Sequence, residues 1–263
     1  MNTIYKHELK TYIKTLLIWF ICVGGMGFAC ILLFTNMKGE MAGMADSFAS
    51  MGAFSDAFGM SKLSIATMSG FYSAEVGTVH ALGGAMFSAI ISTVMLSKEE
   101  DGHTAEFLFT LPVSRGKAVI AKFLATVTVV VLFNIFCVSL YSIGFAILGE
   151  SVPTAEFLLF HTMQTLMHIE IATICFCISA FMKKNKFALG LGIVLLLYAF
   201  DLIARVIPDL SDSKIISPFS YANASDIISS GEISVVATVI GVIIMITCFT
   251  VALRVYTKKD LAS

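Results

Sequence analysis

Two sets of residues in this chain are of a kind that could do chemistry. The first is Glu170 with His161, Gln164 and His168, all inside a long apolar run. His161, Gln164 and His168 are spaced i, i+3, i+7 and share one helical face, whereas His168 and Glu170 diverge. A carboxylate among apolar residues is expensive and should face protein or water. Such a set could line a polar path for a cationic or amphipathic solute, or relay protons. It could equally be a buried glutamate that hydrogen-bonds a neighbouring helix, with Asn134 and Ser139 as possible partners. The second set runs from Lys98 to Lys122. Acidic Glu99, Glu100 and Asp101 come first, then Gly102, His103, Thr104, Glu106 and Leu108, then Pro112, Ser114 and Arg115. Thr104 is placed to cap a short helix with an acidic first turn, which Pro112 ends; Ser114 is placed to cap the next. Other chemistries lack their residues. There is no H-E-x-x-H, no G-x-S-x-G and no G-x-x-x-x-G-K-[ST] phosphate loop. This chain is therefore not expected to hydrolyse ATP itself.

The elements that must hold these residues are apolar helices. Of 263 residues, 57% are hydrophobic and 13% charged, against roughly 25% charged in a soluble domain. A bilayer core needs about 20 apolar residues per helix. Six stretches meet that length: Thr15–Met37, Val76–Ser97, Phe123–Gly149, Phe157–Met182, Phe187–Ile207 and Ile233–Leu253. They are too long and continuous for barrel strands of about ten alternating residues. The expected fold is all-α and polytopic, one transmembrane unit over residues 1–263. The first run is too long for a signal-peptide core and is expected to stay as a helix.

Lysine and arginine set the orientation. With the N-terminus in the cytoplasm, inner segments hold thirteen of the seventeen. Only Lys38, Lys62, Arg205 and Lys214 fall elsewhere, so both ends are expected inside. Residues 1–14 place Lys6, Lys10 and Lys14 on one face and Tyr5, Leu9, Tyr12 and Ile13 toward the other. That suits an interfacial helix with snorkelling lysines, or a plain extension of the first span. Residues 38–75 form a long outer loop with a stripe of Met41, Met44, Phe48, Met51, Phe54 and Phe58 at helical spacing. The stripe lacks histidine and is not read as a copper(I) site. All six cysteines lie in apolar runs without a CxxC pair and are read as small core residues. Asp201 and Arg205, at i, i+4, are expected to pair. Gly24, Gly25, Gly27, Gly83, Gly84, Gly190 and Gly192 are expected where helices pack closely.

The stretch with Gly102, Thr104, Glu106, Leu108, Pro112, Ser114, Arg115 and Lys122 resembles the type-two ABC exporter permeases, where it is the coupling element that docks into the ATPase. Ser217-Pro218-Phe219-Ser220-Tyr221 resembles that family's outer loop before the last span, and Tyr256 to Leu261 its basic C-terminal end. Many members have Gly directly before the Thr, where this chain has His103. The resemblance implies a permease without a cofactor of its own, with ATP and Mg bound by two copies of a separate ATPase subunit. It implies a second copy of this chain and a bacterial plasma membrane. It also implies ATPase coupling through Glu99, Glu100, Thr104, Glu106, Leu108, Pro112 and Arg115. The apolar spans fit a hydrophobic or amphipathic cargo such as a peptide, exported with membrane lipid around the protein; nothing points to nucleic acid. The alternative is a proton-coupled secondary transporter using Glu170 and His168, which would call for internal repeats that the two halves do not display.

Overall fold

The computed structural model describes residues 1–104, 113–150 and 152–259. Among them there is no strand, and six helices are long and apolar enough to cross a membrane. The first is helical from Asn2 to Ala49, as α1 (Asn2–Trp19), a π-helical turn over Phe20–Gly24 and α2 (Gly25–Ala49). Residues 2–14 form the opening turns of α1, continuous with the rest of that helix. Lys6, Lys10 and Lys14 are exposed, while Ile4, Glu8, Tyr12 and Leu16 are buried.

The expected outer loop over 38–75 is shorter than composition implied. Helix α2 continues to Ala49, followed by α3 (Ala53–Phe58) and then α4 (Met68–Phe71). Polar residues such as Lys38 and Glu40 do not stop a helix once its backbone ladder is running, so hydropathy placed the end too early. The Met/Phe stripe is therefore divided. Met41, Met44 and Phe48 extend α2, and Ser50–Gly52 separate them from Phe54 and Phe58, whose rings meet at 4.9 Å.

A second π-helical turn over Tyr72–Val76 joins α4 to α5 (Gly77–Thr93). This span begins at Met68, eight residues before the expected Val76, because Thr67 caps it by accepting from Gly70 N. The short α6 (Lys98–Asp101) follows. Ser114 accepts from Lys117 N at 3.5 Å and caps α7 (Arg115–Leu148), which runs out to a left-handed Gly149. Then come α8 (Thr154–Phe181), α9 (Phe187–Val206), 3-10 turns over Pro208–Ile216 and Pro218–Ala222, α10 (Ala224–Ser230) and α11 (Val235–Lys258).

Helix α8 lies at the centre, between α5 on one side and α11 on the other, with α7 also against it. Helices α1 and α2 pack along α7, and α9 packs on α5. The windows of the second and fourth spans are 67% and 61% buried, whereas the fifth and sixth are only 22% and 17%. The two central spans are also those that carry the buried histidines. Leu196, Val235, Ile243 and Ile246 on the peripheral spans stay exposed, which is the pattern of helices whose outer faces meet lipid. All six cysteines are free. Gly83 and Gly84 face Val23 and His168, Gly27 faces Tyr141, and Gly190 faces Thr93, as close packing requires; Gly25 and Gly192 face open space.

Candidate functional site

The end of the bundle where α1 begins and α11 ends holds a set of interlocked charges. Lys122, on the third turn of α7, is almost wholly buried. Its Nζ donates to Glu8 Oε1 at 2.6 Å, Glu99 Oε1 at 2.7 Å and the Met95 carbonyl at 3.3 Å. Lys98 also donates to Glu8 and sits 5.0 Å from the Tyr12 ring centre. Thr104 Oγ1 donates to the other Glu99 oxygen at 2.6 Å. On the far side Lys259 Nζ donates to Glu100 Oε1 at 2.5 Å and the Met182 carbonyl at 2.7 Å. Arg115 donates to the Lys259 carbonyl at 2.7 Å. Glu8, Glu99 and Glu100 thus meet Lys98, Lys122 and Lys259, and the group is neutral.

Backbone contacts tighten the same turn. Ser179 Oγ accepts from Leu96 N at 3.0 Å and Ser97 N at 3.1 Å, and Tyr256 donates to the Leu96 carbonyl. The segment 95–104 is therefore clamped by α1, α7, α8 and α11 at once. Burial raises the Glu99 carboxyl, but the charge and hydrogen bond of Lys122, with the Thr104 hydroxyl, bring it below the usual carboxylate range. Burial and the nearby Lys122 charge pull Lys98 down, against the pull of Glu8. His103, directly before Thr104, has φ 53°. That left-handed backbone is what Gly adopts freely, and His is one of the few other residues found there. Of the residues for which the resemblance implies coupling, Glu99, Glu100, Thr104 and Arg115 are thus joined in one cluster, with Glu99 and Glu100 turned inward. Glu106, Leu108 and Pro112, and the helix expected between Thr104 and Leu111, lie outside the described residues.

The mid-span set is also buried. His161, Gln164, His168 and Glu170 are each at most 4% exposed. Asn134 Nδ2 donates to the Val130 carbonyl at 2.9 Å, which turns Oδ1 toward two rings. His80 Nε2 lies 3.0 Å and His168 Nδ1 3.1 Å from that oxygen, and the other His168 ring nitrogen, Nε2, lies 3.2 Å from the Ala81 carbonyl. Tyr141 then donates to His80 Nδ1 at 3.3 Å. Tyr72 and His161 Nε2 are 2.6 Å apart. Gln164 donates to the Ala222 carbonyl at 2.7 Å, and Tyr221 donates to Glu170 at 2.7 Å. Gly84 gives His168 its space, and Gly241 gives Glu170 its own. The structure separates the four residues, each into its own hydrogen-bonded group. Asn134 belongs with His168, and Ser139 bonds its own helix at the Ile135 carbonyl. Glu170 is instead met by Tyr221 of the Ser217–Tyr221 stretch, which folds back against α8.

Asp201 and Arg205 pair as expected, at 2.7 Å, and the pair is part of a longer chain. Arg205 also donates to Asp226 at 3.1 Å, and Lys62 reaches the other Asp226 oxygen at 2.8 Å. This fastens α9 to α10 and to the α3–α4 connection. Burial raises Asp226, but Arg205 and then Lys62 outweigh it and leave the carboxyl below its ordinary value. A depressed folded pKa adds stability above the unfolded value of about 3.9, lost as pH falls through the folded value. The thermal stability gap between the native chain and Asp226→Asn is therefore expected to be constant above about pH 5. It should close as pH falls toward about 3, measured by thermal unfolding in detergent. A gap that stays constant to that pH would show that the ion pair contributes nothing.

Sequence reasoning missed Glu8, Tyr72, His80 and Tyr221 as members of these groups. Glu8 carried a signal, as a lone acid on the face opposite Lys6, Lys10 and Lys14. Tyr72, His80 and Tyr221 carried none, because their partners are distant in the chain.

Six apolar helices with ionic groups at their ends and hydrogen-bonded histidines within define a multi-pass membrane protein. A family model described as ABC-2 family transporter protein matches residues 2–261, and the chain belongs to that family. Its members are transmembrane subunits that work with a separate ATPase subunit. A comparison with curated proteins returned no match.

Proposed function

We propose that this chain is the permease of an ATP-driven exporter in a bacterial plasma membrane, with both ends cytoplasmic. Two copies work with two ATPase subunits, which carry the ATP and Mg. The cargo is an amphipathic peptide or another hydrophobic compound. The observation that carries the reading is the neutral clamp around residues 95–104. It makes a rigid base on the chain's inner side, tied to four of the long helices, immediately before the stretch that resembles a coupling element. A push delivered at Glu106 and Leu108 by a closing ATPase dimer would pass through Glu99 and Lys122 into α7 and through Glu100 and Lys259 into α11. Glu99 and Glu100 act in this scheme by holding the base, and the surface offered to the ATPase falls to Thr104, Glu106, Leu108, Pro112 and Arg115. Gln164, His168 and Glu170 act as polar groups beside the path, buried in this state and reachable when the helices rotate, and His161 acts as one that already lines a groove on the bundle surface.

The test is affinity purification of the tagged chain from detergent-solubilised native membranes, with mass spectrometry of what accompanies it. An ATPase subunit is expected in stoichiometric amount, with at least a tenfold loss on Glu106→Lys and unchanged helical content. Arg115→Glu should do the same, although it also breaks the contact with Lys259. A chain that purifies alone, or keeps its ATPase and its cargo-stimulated hydrolysis in both variants, would overturn the coupling role.

A further inference from the structure

Between α7 and α8, in the half toward Leu148 and Thr154, the bundle surface carries a groove of about 240 Å³. Its rim is apolar and faces outward: Ile135 is 51% and Leu158 55% exposed. Val131 and Val138 continue the wall, and Asn134 and His161 also line it. Among the described residues no charged side chain lines the groove. The hydroxyls along it are spent on their own helices, Ser139 on the Ile135 carbonyl and Thr162 on the Leu158 carbonyl.

One polar atom is not spent. His161 is 4% exposed, its Nε2 is taken by Tyr72, and its Nδ1 has no partner among the described residues. The ring cannot turn away to find one. It is packed by Phe157 at 4.6 Å, Phe160 at 4.7 Å and His80 at 5.0 Å between ring centres. A buried ring nitrogen left unbonded is rare in a folded protein and marks a place where a partner group is missing.

We infer that this groove binds an uncharged amphiphile dissolved in the bilayer, its apolar chain along Ile135 and Leu158 and one hydroxyl or amide group hydrogen-bonded to His161 Nδ1. The lining sets the class. Charged head groups find no counter-charge, and a pure alkane leaves Nδ1 unbonded. The groove is smaller than the roughly 300–1,000 Å³ of drug-sized pockets, so it takes a segment of a ligand, such as part of an acyl chain or one bulky side chain. This deepens the cargo part of the proposed function and rests on it for its role in transport. The binding itself needs no ATPase.

The test uses the permease alone in phosphatidylcholine vesicles, with a diazirine-bearing hexadecanol and the matching diazirine-bearing hexadecane as photolabels. Crosslinked peptides are mapped by mass spectrometry. The alcohol is expected to label residues 131–139 and 158–165 several-fold more than the alkane, and unlabelled hexadecanol should compete. Leu158→Trp, at an exposed position that leaves the packing intact, should fill the groove and abolish the excess. His161→Phe should make the two labels equal. Equal labelling by alcohol and alkane in the native chain would overturn the inference, as would alcohol labelling spread evenly over the exposed faces of α9 and α11. Loss of the ATPase in purification would leave this result standing, so the two readings fail separately.

Discussion

Lys122→Met is expected to destabilise the protein by about 3–5 kcal/mol in chemical unfolding from mild detergent, the largest effect of any single substitution outside the helix backbone. The reason is what it leaves behind. Glu8 is buried, Glu99 is largely so, and both accept from the same ammonium group. Removing the cation leaves two carboxylates close together with only Lys98 and Thr104 to answer them. Breaking a buried pair from one side is costly because the remaining charge is uncompensated, whereas removing all partners together can be near neutral. The triple variant Lys122→Met, Glu8→Gln, Glu99→Gln should therefore recover most of the loss. If Lys122→Met alone costs less than about 1 kcal/mol, the value of an exposed pair, the clamp is not the rigid base described above. Lys122→Arg is a useful intermediate, since it keeps the charge but not the compact geometry around two carboxylates.

Asn134→Leu is expected to cost about 2–4 kcal/mol by the same measurement. The shape is nearly kept, so the loss falls on hydrogen bonding. The buried rings of His80 and His168 lose the oxygen they share, and each unmade bond costs about 1–3 kcal/mol. Interhelical bonds within membranes average nearer 0.6 kcal/mol because the partners find substitutes. Here substitutes are few, as Gly84 holds His168 closely and Phe133 stacks on His80. In the double variant with His168→Leu the two effects should fall short of additive by about 0.5–3 kcal/mol. Full additivity would mean that the two residues are not joined through Asn134 Oδ1.

The helices were legible because lipid imposes a length and a hydropathy that few other settings do. All six long runs were present, and both Ser114 as a cap and the Asp201–Arg205 pair followed from local spacing. Boundaries were less legible. Hydropathy sees where apolar residues stop, but the hydrogen-bonded ladder carries α1, α2 and α7 well past that point into charged sequence. The clamp was half legible. The acidic run and Lys122 stood out, but their pairing needs Glu8 from more than ninety residues earlier and Lys259 from about 160 later. Glu170 was visible as an anomaly. Its partner Tyr221 was not, since nothing local in Ser217–Tyr221 announces that this loop turns back into the bundle.

The π-helical turn at Phe20–Gly24 acts as a vernier. Buried positions Ile4, Glu8, Tyr12 and Leu16 advance by fours, and each such step overshoots a full turn by about 40°. After three steps the stripe has precessed by about 120°, nearly off the surface of α7. One extra residue in a wide turn absorbs about 100°. Val23, Gly27 and Ile31 then start again near the angle at which Ile4 began, so one continuous helix stays in mesh with one neighbour for some thirty residues. A chain with one residue deleted in this turn would keep every side chain outside it and still lose its gearing. Glu8 would swing by about 100° away from Lys122 while α2 stayed seated, and two ends of the same helix would demand incompatible rotations.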